Sequence, residues 1–489
     1  MIKLYKILYL LLGSLSMNIV LAKELPNTII QQNDNASSEV RENQFPYASV
    51  MNINNLSYWI GKDGLGYRGS PNGTQSDFPK FTGGSIYMDG LLWGANVIND
   101  GYGDEVRVGG ATYNSGTKAG RVIYDGSGNV LGSDSPDNHH TWRVRKDWDT
   151  ADLLTDAAIF YGTSPSDVDL EMISIVRNQY EYDWMNWPAQ WGAPYEDVDN
   201  NGFYDPSIDI PGYPGSDQTI WLIANDVPVI VDDLGNEIDY QDSAPGLYGS
   251  NAIGIEMKIT LWAYAFSADH PLGNTVYKSA EIKYTGLPGS SSTAEMESVY
   301  LTNWSDTDIG TYTDDYVGCD VDLSFGYAYN GSNYDGVFSD IYNIPPPAMG
   351  YDFLQGPPDN MDIDGDGDYE EYLGLTSFTY FGAGSSISDP DLYSYAGTLQ
   401  FYNLMGGFLP RPEYPTQVPF VNPTTGAETK FALDGDPISG SGWIDGIDLP
   451  EGDRRLVMSS GPFNMQLGQS VEIVVGAIGG HGNNYLSSV

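Results

Sequence analysis

The chain has 489 residues, with 66 Asp and Glu against 21 Lys and Arg and a formal net charge of −45. Such a surface repels nucleic acid and anionic membranes and attracts cations. A 41% apolar and 13% aromatic content argues against global disorder, and a single cysteine, Cys319, excludes an internal disulfide framework.

Lys3 and Lys6 precede an apolar stretch over 7–21, and Val20-Leu21-Ala22 supplies small residues for cleavage. This pattern predicts a secretory signal peptide over 1–22 and an extracellular or outer-cell-surface location. No later apolar run approaches the roughly 20 residues of a transmembrane helix. Residues 23–46 are polar and read as a flexible leader. Residues 47–145 read as an N-terminal β domain. There, Ser85-Ile86-Tyr87-Met88 and Leu91-Leu92-Trp93 flank Asp89-Gly90, which predicts a tight hairpin, and a second turn is expected at Asp125-Gly126-Ser127-Gly128.

Residues 146–245 read as a small helical insertion, mainly over 150–185, followed by an aspartate-rich loop. Ser164 can cap a helix with Pro165 at its first position, and Val168, Met172, Ile175 and Val176 then share a face. A shorter helix is expected within 151–160, and no further helix is expected downstream. From 246 to 489 the period is two. Ile255, Met257, Ile259 and Leu261 alternate with Glu256, Lys258 and Thr260. Val276, Lys278, Ala280, Ile282 and Tyr284 form a second such run, and Val471, Ile473 and Val475 a third. One face of each run meets a core and the other meets water. With 58 glycines and 29 prolines punctuating the runs, the expected fold is mainly β: antiparallel, β-sandwich-like domains with long loops.

Two loops carry the clearest chemistry. Asp362-Ile-Asp364-Gly-Asp366-Gly367-Asp368-Tyr-Glu370 places carboxylates at alternate positions before a glycine. Oxygens at positions 1, 3 and 5 of such a loop converge on one calcium ion, and the glycine at 6 permits the bend. Asp368 contributes through its carbonyl, Glu370 stands at position 9, and Leu373 occupies position 12, where a helix-loop-helix site has its bidentate glutamate. Asp197-Val-Asp199-Asn-Asn201-Gly202-Phe-Tyr-Asp205 repeats the spacing, with Asp209 one residue past position 12. Prolines beside both loops oppose flanking helices, so structural calcium sites are expected, not switches. Asp306, Asp308, Asp314, Asp315 and Asp320 crowd one segment around Cys319 as a weaker third candidate.

The four histidines lack zinc spacing, and His139-His140 reads as a solvated pair. No nucleophile elbow, phosphate loop or dinucleotide fingerprint is present, and no catalytic residue is assigned. Tyr180, Tyr182, Trp184, Trp187 and Trp191 precede the first loop, as a core that anchors it or as a glycan platform.

Several phrases together carry a resemblance: Trp187-Pro188, Gly192-Ala193-Pro194-Tyr195-Glu196-Asp197-Val198-Asp199, Pro271-Leu272-Gly273-Asn274, Asp314-Asp315-Tyr316-Val317-Gly318-Cys319-Asp320, Gly350-Tyr351-Asp352-Phe353-Leu354-Gln355-Gly356-Pro357 and Asp453-Arg454-Arg455. As a group they resemble large surface proteins exported by the type IX secretion system. The resemblance implies a small C-terminal β sorting domain, and a chain ending at Ser487-Ser488-Val489 is then expected to be a fragment. It brings no catalytic residues. The expectation is a secreted, calcium-stabilised structural or adhesion protein without catalytic activity, meeting surface glycans or other cell-surface proteins. The alternatives are a secreted polysaccharide-degrading enzyme and a glycan-binding module.

Overall fold

The period-two runs become strands, and their apolar phases meet in one core. In the computed structural model the described residues are 47–67, 76–232, 234–238, 247–358 and 371–489. The principal strands are β1 (Gly66–Tyr67), β2 (Met88–Ile98), β3 (Glu105–Gly110), β4 (Lys118–Ala119), β5 (Trp142–Arg145), β6 (Gln218–Asn225), β7 (Ile255–Ala263) and β8 (Thr275–Tyr284). They continue with β9 (Glu295–Asp306), β10 (Asp315–Asp320), β11 (Phe325–Asn330), β12 (Ala348–Gln355), β13 (Ser377–Gly382), β14 (Arg454–Gln466) and β15 (Ser470–Gly480). One antiparallel sheet of nine runs β5-β6-β7-β8-β15-β12-β11-β10, with β4 also on β6. A second, of six, runs β13-β14-β9-β2-β1, with β3 also on β2.

Ile255, Met257, Ile259 and Leu261 of β7, Val276, Ala280 and Ile282 of β8, and Ile473 and Val475 of β15 are buried in one cluster with Leu91, Trp93, Ala95 and Val97 of β2, Leu301 of β9 and Met458 of β14. Each Val, Leu, Ile or Met side chain among them contributes about 1.5–3 kcal/mol on full burial. The architecture is the expected β-sandwich-like one, and Cys319 packs into this core. The three segments separated by composition are interleaved: β2, β6 and β7 come from different segments and share these two sheets. All described residues fall in one compact unit, Pro46–Val489.

Three local expectations are corrected. Asp89-Gly90 is not a turn; β2 runs straight through it. Gly90 is needed for close approach, since a Cβ there would lie 2.2 Å from the Ala111 carbonyl oxygen. Asp89 is buried against Tyr58, Lys278 and Tyr351. Ser164 and Pro165 open only a short 3-10 turn, and the helix proper starts at the Asp169 cap, whose Oδ1 accepts from Met172 N at 2.9 Å. A further helix, α3 (Tyr395–Met405), was not expected. It is buried over most of its length, so its sequence lacks an amphipathic stripe. The turn at 125–128 forms as expected: Asp125 N donates to Asn129 O at 2.9 Å and Gly128 N to Asp125 O at 3.0 Å.

The helical insertion holds α1 (Leu154–Tyr161) and α2 (Leu170–Met185). A buried polar network ties it to the sandwich. Arg143 Nη2 donates to Asp156 Oδ1 at 2.8 Å, Tyr180 OH donates to Asp156 Oδ2 at 2.6 Å, and Gln218 Nε2 donates to Tyr180 OH at 2.8 Å. No helix among the described residues is long and apolar enough to cross a membrane.

Burial pushes the Asp77 carboxyl from its ordinary 3.8 up to about 7. A raised carboxyl favours folding fully below its unfolded pKa, and that contribution is lost as pH rises through about 7. Asp77→Asn is therefore expected to stabilise the protein at pH ~8 by on the order of 1–3 kcal/mol, discounted for partial exposure, and to change little at pH ~4. Urea midpoints at the two pH values check this.

Candidate functional site

The first aspartate loop is closed at its base by a short antiparallel ladder. Tyr195 pairs with Pro211 and Glu196 with Ile210. The next residues inward are Asp197 and Asp209, which this register sets opposite each other. Downstream of Gly202 the chain makes one helical turn, with Asp209 N donating to Asp205 O at 2.8 Å. That turn shortens the path and returns Asp209 to the loop, although it stands past the position a helix-loop-helix pattern requires.

Backbone amides then aim the carboxylates. Asp197 Oδ2 accepts from Gly202 N at 2.8 Å and its Oδ1 from Asn201 N at 3.1 Å. Asp199 Oδ2 accepts from Asn201 Nδ2 at 2.9 Å. Asp209, which is buried, accepts from Val198 N at 2.9 Å and from Asp205 N at 2.7 Å. Gly202 makes the predicted bend at φ +80°. One oxygen from each of Asp197, Asp199 and Asp209 lies within 4.8 Å of the others. The N–H of Gly202, above all, holds the Asp197 carboxyl below its ordinary range, so it stays ionised. Like charges about 4 Å apart repel by roughly 1 kcal/mol in water and 4 kcal/mol near a protein surface, and a divalent cation reverses the sign. An all-oxygen set suits hard cations such as calcium.

The predicted residues divide accordingly. Asp197 and Asp199 come together. Asn201 supplies N–H donors, and its Oδ1 accepts from Phe203 N at 2.7 Å. Asp205 caps its own turn, accepting from Ser207 N at 2.9 Å and Ser207 Oγ at 2.6 Å. Asp209 takes the place proposed for Asp205. Asp362, Asp364, Asp366, Asp368 and Glu370 lie outside the described residues.

The aromatic group before the loop works as its anchor. Trp184 Nε1 donates to Pro206 O at 3.1 Å, Tyr204 OH donates to Trp184 O at 2.6 Å, and Trp187 is buried with Trp142 and Trp221. The neighbouring histidines are not solvated. His139 Nε2 lies 3.0 Å from Asp134 Oδ2, and its ring tilts on Trp191. His140 Nε2 lies 2.9 Å from the buried Asp183 Oδ1. Local polarity suggested exposure, but α2 and Trp191 cover the pair.

A second surface lies on the outer face of the nine-stranded sheet. Tyr213 stacks on Trp262 at 4.0 Å and 8°, and Trp262 on Tyr277 at 5.3 Å and 15°. The next strand presents Gly476, paired with Tyr277 on one side and Asp352 on the other. The missing side chain opens a groove of about 340 Å³ lined by Leu272, Tyr277, Asp352, Leu354 and Ile478.

No family model matches the chain, and no curated protein matches it. Two solved structures overlap it weakly. A copper-containing benzylamine oxidase from Hansenula polymorpha gives a TM-score of 0.27 at 5% identity, over 90% of this chain and 62% of that one. An Aspergillus nidulans amine oxidase gives 0.22 at 9% identity, over 87% and 50%. The chain spans less than two thirds of each, and likenesses this slight carry no argument about chemistry.

Proposed function

We propose that this chain is a secreted or cell-surface protein of structural or adhesive role, stabilised by calcium and without catalytic activity, exported by the type IX route. The observation that carries the reading is the convergence of Asp197, Asp199 and Asp209 on one point within a loop clamped at both ends. The mechanism is charge neutralisation. Calcium holds three carboxylates together and so locks the loop onto its aromatic anchor, giving a rigid surface for glycans or neighbouring proteins. Affinity in the range of about 10⁻⁴–10⁻³ M suits an extracellular module.

Thermal and urea unfolding with calcium and with a chelator test this. Calcium at about one hundred times its dissociation constant adds about 2.7 kcal/mol of stability per site. Asp199→Ala and Asp209→Ala are expected to remove the loop's share, whereas Asp205→Ala retains it, and Asp364→Ala reads the second loop separately. Unchanged calcium stabilisation in Asp199→Ala and Asp209→Ala would overturn the assignment.

A second reading, glycan binding, is favoured by the Tyr213–Trp262–Tyr277 stack beside the Asp352 groove. Affinity electrophoresis against soluble polysaccharides decides it: retardation abolished by Tyr277→Ala supports a binding module, and none with any polysaccharide removes it.

A further inference from the structure

Resting on the glycan-binding reading and narrowing it, we propose that the groove over Gly476 is a slot for one ring of a protonated amino sugar, a unit of a cationic glycan. The side chains of the outer face stand in register. Trp262 pairs with Tyr277, Tyr277 with Gly476, and Gly476 with Asp352. Tyr213, Trp262 and Tyr277 are stacked face to face, so the second face of Tyr277 turns toward Gly476. A glycine stands where the next ring of the stack would be, and a carboxylate stands beyond it. Adjacent strands lie about 4.8 Å apart, so Tyr277 and Asp352 are separated by about 9–10 Å across Gly476. A ring in van der Waals contact lies about 3.5–4 Å from each wall, so one ring fills the gap and two do not.

Folding does not require this glycine. Elsewhere in the same strands glycine is forced: a Cβ at Gly479 of β15 would lie 2.5 Å from the Phe78 ring, and one at Gly350 of β12 would lie 2.2 Å from Phe325. At Gly476 the nearest atom would be Leu354 Cδ1 at 3.5 Å, an ordinary contact, and the backbone is not in the positive-φ region. Glycine inside a strand weakens it, and it serves where another group approaches the backbone closely. Among the described residues no side chain takes that place, which leaves it to a ligand.

The walls select the charge of that ligand. Asp352 is half-buried, and among the described residues neither a donor nor a cation meets its carboxyl; burial alone pushes it above its ordinary range. The other polar side chains of the groove are engaged. Asn274 Nδ2 donates to Ala268 O at 2.9 Å, its Oδ1 accepts from Asn55 Nδ2 at 3.0 Å, and Thr275 Oγ1 donates to Pro271 O at 3.1 Å. The face of Tyr277 is the negative side of its quadrupole, so both walls attract a cation. A pyranose ring can lay its C–H face on Tyr277 while its ammonium donates a charge-assisted hydrogen bond to Asp352. Leu354, 49% exposed, gives the slot an apolar rim. Acidic glycans are repelled by Asp352 and by the net charge of −45.

Calorimetric titration of the purified chain tests this with the β-1,4 tetramer of glucosamine, its N-acetylated form, cellotetraose and pentalysine. The glucosamine tetramer is expected to bind about tenfold more tightly than any of the others. Asp352→Asn should bring it down to the level of cellotetraose, whereas Glu413→Gln, at an exposed acid outside the groove, should change nothing. Gly476→Leu fills the slot and should lose the glucosamine tetramer while remaining folded. A folded Gly476→Leu protein with wild-type affinity overturns the slot, and an Asp352→Asn protein with wild-type affinity overturns the charge pairing. Cellotetraose binding as tightly as the glucosamine tetramer overturns the inference and leaves the glycan reading standing. Pentalysine binding as tightly overturns it in favour of a basic peptide. If no probe binds, the inference falls. Retardation by another polysaccharide, abolished by Tyr277→Ala, would then still uphold the glycan reading.

Discussion

Replacing Asp89 by alanine is expected to lower the stability of the fold by about 3–5 kcal/mol, the range for removing one partner of a buried ion pair. Asp89 is fully buried on β2 between the two sheets. Its Oδ2 accepts from Tyr58 OH at 2.5 Å and from Tyr351 OH at 3.2 Å, and Lys278 Nζ stands 3.3 Å away. Burial first, and then the Asp89 charge, push both tyrosine hydroxyls well above their ordinary range, so they remain protonated donors. Without Asp89, the Lys278 ammonium keeps, among the described residues, the Tyr58 hydroxyl at 3.3 Å and the Tyr58 ring at 5.9 Å. The double variant Asp89→Leu with Lys278→Met removes both charges, and is expected to fall within about 1–2 kcal/mol of the wild type or above it. Urea unfolding of the three proteins measures the difference. A loss below about 1 kcal/mol in Asp89→Ala would mean that Lys278 reaches water in the folded state.

The second large effect is expected at Asp156, again about 3–5 kcal/mol on replacement by alanine. Burial raises the Asp156 carboxyl, but Arg143 next, then the Tyr180 hydroxyl and Arg145, outweigh it and hold it below its ordinary range. The stabilisation is present above the unfolded carboxyl pKa and is lost as pH falls through the lower folded value. Arg143 is almost fully buried, so removing Asp156 strands a guanidinium. Tyr180→Phe deletes one charge-assisted hydrogen bond and is expected to cost about 1.5–3 kcal/mol. Because α2 carries Trp184 near its end, and Trp184 holds both Pro206 and Tyr204, loosening α2 is expected to weaken the calcium binding proposed for 197–209 as well. Calorimetric titration of Asp156→Ala with calcium, below its unfolding temperature, checks the coupling. Wild-type affinity in a destabilised protein would separate the loop from the helix.

Much of the fold follows from local chemistry. The alternation over 255–261 and 276–284 set both the strands and their inward phase, and even placed Lys278 on the inner face. Its partner was invisible, because Asp89 sat in a dipeptide whose local preference is a turn. That preference lost to the Ala111 carbonyl approaching Gly90 and to three buried donors around the carboxylate. Helix α3 was missed because burial over most of its length removes the polar stripe that makes a helix readable.

For the clustered carboxylates the division is similar. Asp197, Asp199 and the bend at Gly202 were legible, since Asp-x-Asp-x-Asn-Gly is a local pattern whose amides orient its own carboxylates. Asp209 needed the helical turn after Asp205 and the Glu196–Ile210 pairing, which spacing rules for another loop type do not include. Asp453 needed the whole sandwich, because only the β9–β14 register carries it to Asp306 across the intervening chain. The sequence by itself therefore determined acidity, strand phase and the first half of the loop, all of which are set by neighbours within a few residues. The tertiary structure alone decided which distant carboxylates share a point and which charges are buried together, because those depend on sheet pairing between residues far apart in the chain.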